Sequence, residues 1–243
     1  MTAALEITNL VKLFGGLKAT NDLSFSVAQG ESLGLIGPNG AGKTTVFSQI
    51  MGELRQSSGT IRLFGEEISA LPTPARIRHG VSRTYQVPRP FAGMTVAENI
   101  RVGLMPNSIR QMIFRGPDVA RERALGLSVG LTEADLDKTP AELSMGDLRK
   151  LELARTMATA PRVMLLDEVF AGLTVGEIAQ VSGLIQQMRR NGMTFLIVSH
   201  DLPALEPLVD RCIAIERGAL IAEGSFAEVV DDPEVRASYL GGV

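Results

Sequence analysis

Gly37-Pro38-Asn39-Gly40-Ala41-Gly42-Lys43-Thr44 spaces two glycines, a lysine and a hydroxyl in the pattern G-x-x-x-x-G-K-[ST]. Those residue types at that spacing suit a polyphosphate. The glycines let successive backbone N–H groups turn toward one anion, where a Cβ would obstruct them. Lys43 adds a mobile cation for the outer phosphates; Thr44, followed by Thr45, offers a hydroxyl for Mg²⁺. The flanks agree. Leu33-Gly34-Leu35-Ile36 reads as a buried strand, and Thr44-Thr45-Val46-Phe47 opens a helix whose free N–H groups and dipole also favour an anion. A glycine-rich turn with no nucleotide role is the plain alternative, and this context counts against it.

A second group of residues could complete a hydrolytic site. Val163-Met164-Leu165-Leu166-Asp167-Glu168 is an apolar strand ending in two acids. Asp167 stands where it can hold Mg²⁺, directly or through water, and Glu168 where it can polarise an attacking water as general base. A strand that simply ends in surface acids is the alternative, weakened by the phosphate loop beside it.

The elements that carry these residues follow from apolar periodicity. Leu5–Ile7, Leu23–Val27 and Thr60–Phe64 alternate as short strands and predict a small antiparallel layer beside the phosphate loop. Gly80–Gln86 reads as a further strand leading to a loop. From about Val87 the character changes: Pro88, Pro90 and Gly93 break the chain, and a Met- and Arg-rich stretch runs to Leu143 with helices near Ala97–Ile100 and Asp118–Leu127. A helix from Leu148 to Ala158, buried strands at Val163–Leu166 and Phe195–Val198, a helix through Ile178, Val181, Ile185 and Met188 stopped at Asn191-Gly192, and a hairpin turning at Arg217-Gly218 complete the chain. Strands alternating with helices predict a mostly parallel sheet covered on both faces.

Bulk properties narrow the function classes. A formal net charge of -3 argues against nucleic-acid binding through the whole surface, and 45% hydrophobic residues argue against global disorder. Cys212 has no partner for a disulfide and lies in the apolar run Cys212–Ile215, which predicts a buried structural thiol in a reducing compartment. No apolar run approaches the roughly 18 residues that cross a bilayer, and Met1–Glu6 lacks the character of a secretory signal. The expectation is a cytoplasmic protein that reaches membranes through a partner.

Leu143-Ser144-Met145-Gly146-Asp147 resembles the Leu-Ser-Gly-Gly-Gln signature of ATP-binding cassette (ABC) proteins. The chain resembles the nucleotide-binding subunit of an ABC transporter over essentially its whole length, with the family's other landmarks in order. Phe14 matches the aromatic residue that stacks on adenine, with ordinary core packing as the alternative; Gln86 matches the Q-loop, Ala171-Gly172-Leu173-Thr174 the D-loop and His200 the switch histidine. Arg83–Gln86, Phe91–Asn99, Asp147–Arg155 and Tyr239-Leu240-Gly241 are similar, more narrowly, to the ATPases of branched-chain amino acid importers, with urea or short-amide importers and the lipopolysaccharide-export ATPase as neighbours.

The resemblance implies one domain: an α/β phosphate-loop NTPase (RecA-like) core at about 1–86 and 148–225, an antiparallel β layer, an inserted helical lobe at about 87–147 and a tail at about 226–243. It implies ATP and Mg²⁺ as ligands, held by Phe14, Gly37, Pro38, Asn39, Gly40, Ala41, Gly42, Lys43, Thr44 and Thr45, with the metal at Thr44, Gln86 and Asp167. Lys43, Gln86, Glu168 and His200 would be catalytic. Ser144 and the helix start near Gly146 would approach the γ-phosphate on a second ABC ATPase subunit, a copy or a paralogue. Membrane permease subunits and a solute-binding protein complete the implied system, which would sit on the cytoplasmic face of the membrane and take up branched-chain amino acids or a related small polar solute. A different ABC system, or a soluble ABC ATPase acting on DNA or ribosomes, is the alternative; a phosphate-loop kinase leaves the signature stretch and His200 unexplained. Met94–Phe114, with Leu104, Met105, Met112, Ile113 and Phe114, is a candidate groove for a permease helix, with ordinary core packing of the lobe as an equal alternative. Arg101, Arg110, Arg115, Arg121 and Arg123 read by default as a solvated face. Met145, Asp147, Val169 and Thr174 depart from the family pattern: an acid at 147 would repel phosphate unless it points away, and Thr174 would forgo a bond made by the usual D-loop aspartate.

Overall fold

The structure, a computed structural model, describes residues 3–105 and 118–240. Met112, Ile113, Phe114, Arg110, Arg115 and Gly241 lie outside the described residues. The chain runs β1 (Ala3–Phe14), β2 (Leu17–Ala28), β3 (Ser32–Ile36), α1 (Lys43–Met51), β4 (Ser58–Leu63), β5 (Glu66–Glu67), α2 (Thr73–Arg78), β6 (Val81–Arg83), α3 (Val96–Leu104), α4 (Val119–Ser128), α5 (Glu133–Leu136), α6 (Met145–Ala158), β7 (Val163–Asp167), α7 (Val175–Arg190), β8 (Thr194–Val198), α8 (Leu202–Leu205), β9 (Arg211–Glu216), β10 (Ala219–Gly224), α9 (Phe226–Asp231) and α10 (Pro233–Leu240).

Two sheets form. The six-stranded one has the order β10-β9-β3-β8-β7-β6, parallel except for the β9–β10 hairpin, and brings the ends of β3, β7 and β8 side by side. The four-stranded antiparallel sheet has the order β2-β1-β4-β5. Its long strands run well past the segments that alternation marks, because Asn9 and Asp22 adopt left-handed backbone and the β1–β2 register shifts near Ile7–Leu10. β6 is shorter than expected: pairing stops at Arg83, and residues 84–86 leave the sheet toward the site.

Side chains alternate across the six-stranded sheet. Leu33, Leu35, Val163, Leu165, Leu196, Val198, Ile213 and Ile215 pack with α1 and the antiparallel sheet. Met164, Leu166, Phe195, Ile197, Cys212 and Ala214 pack on the other face with α6, α7, α9 and lobe residues such as Val96, Ile100 and Leu136. The lobe therefore shares one apolar cluster with the sheet, through α6. Close approach makes this possible: a Cβ on Gly103 in α3 would stand 2.6 Å from the Arg155 carbonyl of α6. Cys212 is buried, and burial pushes its thiol up to about 12, so it serves packing rather than redox chemistry.

Local signals start the helices. Thr95 with Glu98, Thr132 with Asp135, Thr174 with Glu177 and Ser225 with Glu228 form reciprocal capping boxes. Arg101 and Arg123 are engaged within the lobe, by Glu122 and Glu133 respectively.

Candidate functional site

α1 begins differently. Its N-cap is Gly42, no side chain caps it, and its first turn holds no acid. The N–H groups that the capping-box helices spend on a Ser, Thr, Asp or Glu have no side-chain partner here and are available to an external anion. The loop before it needs its glycines. Gly37 has φ 150° and Gly42 φ 108°; a Cβ on the first would collide with the Ile215 carbonyl and on the second with the Ala19 carbonyl. Lys43, 7% exposed, donates from Nζ to the carbonyls of Gly37 at 2.6 Å and Pro38 at 3.0 Å. Burial lowers its pKa, and the charges of Glu168 and Asp167 pull the other way. The loop thus cradles its own ammonium, in a geometry that an incoming phosphate can take over.

Phe14, Asn39, Gly40, Ala41, Gly42, Lys43, Thr44, Thr45, Gln86, Glu168 and His200 line one open cleft of about 530 Å³. Residues 14, 39–45, 86, 168 and 200 come from five separate segments, which the sheet brings together. Phe14, 49% exposed on the cleft rim with Lys12 Nζ 5.1 Å from its ring centroid, does not serve the core. Leu17, Lys18, Ala19 and Arg217 also line the cleft. Sequence reasoning placed Arg217 in a hairpin turn without linking it to the site. The link is tertiary: Gly218 N–H donates to the Ala41 carbonyl at 2.8 Å, docking the hairpin tip on the phosphate loop.

At the strand ends, Glu168 has left-handed backbone, with φ 50°, and is 8% exposed. Its Oε2 accepts the His200 backbone N–H at 3.1 Å, and its Oε1 lies 3.3 Å from His200 Nε2. Oε1 is buried and accepts no hydrogen bond among the described residues, an acceptor suited to a water or substrate proton. Asp167 lies behind the cleft wall, 3% exposed, with Oδ2 2.6 Å from Arg83 Nη2. Arg83 also pairs with Glu53 at 2.8 Å. The carboxylate is therefore already compensated by a cation, and it does not line the cleft beside Lys43 and Glu168.

Arg149 is the connection that motif reading missed. Fully buried, it donates to the carbonyls of Tyr85 at 2.6 Å, of Gln86, and of Glu168 at 3.4 Å, and pairs with Glu152 at 2.8 Å. One guanidinium thereby ties α6 to the segment carrying Gln86 and to the backbone of Glu168. Arg149 was visible in the segment 147–155, but nothing local marks which of its charges turns inward.

The signature residues lie apart from this cleft, at the start of α6. Ser144 N-caps α6, its Oγ 2.9 Å from Asp147 Oδ2, and Asp147 pairs with Lys150 at 2.9 Å. The acid at 147 is thus turned into the helix start. Gly146 N–H donates to Glu177 Oε1 at 2.9 Å, while Thr174 and Glu177 cap α7. Thr174 has become a helix cap. Met145 is exposed and Val169 is core.

Residues 20–171 match the family described as ABC transporter, and residues 219–243 match the family Branched-chain amino acid ATP-binding cassette transporter. The high-affinity branched-chain amino acid transport ATP-binding protein BraF of Pseudomonas aeruginosa is 36% identical over 98% of this chain and 97% of its own length. The corresponding protein LivG of Escherichia coli K12 is 34% identical over the same shares. Among solved structures, the ADP conformation of an ATP-binding cassette of an ABC transporter aligns with TM-score 0.89 and 29% identity, covering 99% of this chain and 100% of that one. A nucleotide-free cassette aligns with TM-score 0.87 and 29% identity, covering 96% and 97%.

Proposed function

The chain belongs to the ABC transporter ATP-binding family, and on that premise we propose that it energises uptake of branched-chain amino acids or a related small polar solute such as urea or a short amide. Its activity is ATP hydrolysis coupled to transport, that of its family. The observation that carries the site assignment is the convergence of Lys43, Gln86, Glu168 and His200 on one cleft. The solute class is supported by the full-length likeness to BraF and LivG and by the separate match of residues 219–243.

In the proposed cycle, ATP seats its adenine on Phe14 and its phosphates on residues 37–45. Lys43 Nζ exchanges the Gly37 and Pro38 carbonyls for phosphate oxygens. Mg²⁺, when bound by Thr44, Gln86 and Asp167, would neutralise phosphate charge. Glu168 takes a proton from water as the water oxygen bonds to the γ-phosphorus; the bond to the β–γ bridging oxygen breaks, giving ADP and phosphate. His200 holds the Glu168 carboxylate and touches the γ-phosphate. A single nucleotide-binding domain of this kind needs a second subunit, a copy or a paralogue, whose Ser144 and Gly146 donors close on the γ-phosphate.

Permease subunits are the membrane partners and a solute-binding protein the source of cargo. Among the described residues no helix is long and apolar enough to cross a membrane; the proposed location is peripheral, on the cytoplasmic face. A groove of about 300 Å³, lined among others by Met51, Ile77, Tyr85, Arg89, Val102 and Arg155, is the proposed seat of a permease segment. Tyr85 adjoins Gln86, so the seat and the cleft share a backbone.

The test is reconstitution of this subunit with its native permease partners and binding protein in vesicles. Leucine, isoleucine or valine should stimulate ATP turnover. Stimulation by lipopolysaccharide instead, or co-purification with ribosomes or DNA in place of membrane proteins, would overturn the assignment.

A further inference from the structure

The C-terminal helix touches the phosphate loop. Tyr239 in α10 accepts the backbone N–H of Gly37 on its phenol oxygen at 2.9 Å. The contact is built. Asp232 Oδ1 caps α10 through the N–H groups of Glu234 at 2.8 Å and Val235 at 3.2 Å. Val235 is buried, Tyr239 is 40% exposed, and both line one apolar groove with Val230, Leu202 and Ile36, the last residue of β3. The hydrogen bond from Gly37 thus holds the helix at the point where the strand becomes the loop.

Gly37 is the pivot of that loop. Its N–H goes to Tyr239, its carbonyl takes Lys43 Nζ at 2.6 Å, and its backbone conformation, φ 150°, suits glycine alone. One residue, through the two peptide units that flank its Cα, therefore joins the tail to the phosphate-binding lysine. Burial raises the Tyr239 pKa and the Gly37 hydrogen bond partly offsets it, so the neutral phenol accepts the Gly37 amide on an oxygen lone pair.

We propose that Tyr239 is a positioning residue for nucleotide binding: it fixes the Gly37 amide, and with it the entry to the loop, while Lys43 leaves the Gly37 carbonyl for phosphate. The tail matched by the second family would then act in the ATP site as well as in packing. The inference rests on the ATPase reading above, but the two fail separately, because wild-type protein tests that reading and the comparison with the variant tests this one.

The experiment is Tyr239→Phe in the full chain, which removes one oxygen and keeps the ring. A neutral hydrogen bond contributes about 0.5–1.5 kcal/mol, so the KM for Mg·ATP should rise roughly 2- to 10-fold with kcat within about twofold. Hydrogen exchange at the Gly37 amide should accelerate while the β3 amides stay protected. An unchanged KM would overturn the proposal. So would a loss of kcat with exchange quickened throughout β3, which would reduce Tyr239 to a fold residue.

Discussion

Glu177 shows how a cap and a ligand site share the same atoms. Its Oε2 accepts from Thr174 to start α7, while its Oε1 holds the Gly146 N–H at the start of α6. Asp147 engages the Ser144 hydroxyl in the same way. The donors proposed for a partner's γ-phosphate are therefore occupied by carboxylates within the chain, and subunit closure must displace them. Glu177→Gln keeps a capping group and removes the charge. It should lower the ATP concentration at which subunits pair by severalfold, measured by sedimentation velocity; an unchanged or raised concentration would contradict the exchange. At this scale the sequence was most readable where chemistry is local. The spacing of residues 37–44 and the acids ending Val163–Glu168 announce themselves. Arg149, Arg83 and Arg217 do not, because their roles depend on which backbone a distant segment brings alongside them.

Helix starts in this fold rely on carboxylates at the third helical position. Glu142, in a short 3₁₀ turn at Pro140–Glu142, and Glu177 and Glu228 each accept hydrogen bonds from a Thr or Ser backbone and hydroxyl, and these bonds hold their pKa values below the ordinary glutamate value of 4.5. A depressed folded-state pKa means the unfolded chain binds protons more readily. The resulting stability is complete above the ordinary value and drains away as pH falls below it. A variant with all three replaced by Gln should melt lower than wild type at neutral pH, and that gap should shrink as pH drops through 4.5 and below. A gap independent of pH would reject the capping account. Elements were legible where one pattern ruled a whole segment, as in the uniformly apolar β3, β7 and β8. The long strands β1 and β2 were readable only in part, because left-handed residues Asn9 and Asp22 and shifts of register break their alternation.

Two apolar clusters, one on each face of the six-stranded sheet, make the molecule a rigid frame around its cleft. The sheet's parallel order brings Lys43, Glu168 and His200 together from the ends of β3, β7 and β8, the place where α/β sheets bind ligands. The lobe shares a core with the sheet through α6, and Arg149 of that helix grips the backbone of Gln86 and Glu168. The segment carrying Tyr85 and Gln86 is thus tied by hydrogen bonds to the helix that lines the groove. Alternating strands and helices made the α/β class readable from the chain alone. The shared core was not, since it depends on α3 meeting α6 at Gly103. The most direct measurement of the central claim uses Glu168→Gln. With Mg·ATP this variant should bind nucleotide normally, turn over about 100-fold or more slower than wild type, and sediment as a stable dimer. Hydrolysis at the wild-type rate, or a monomer that binds ATP without ever pairing, would contradict it.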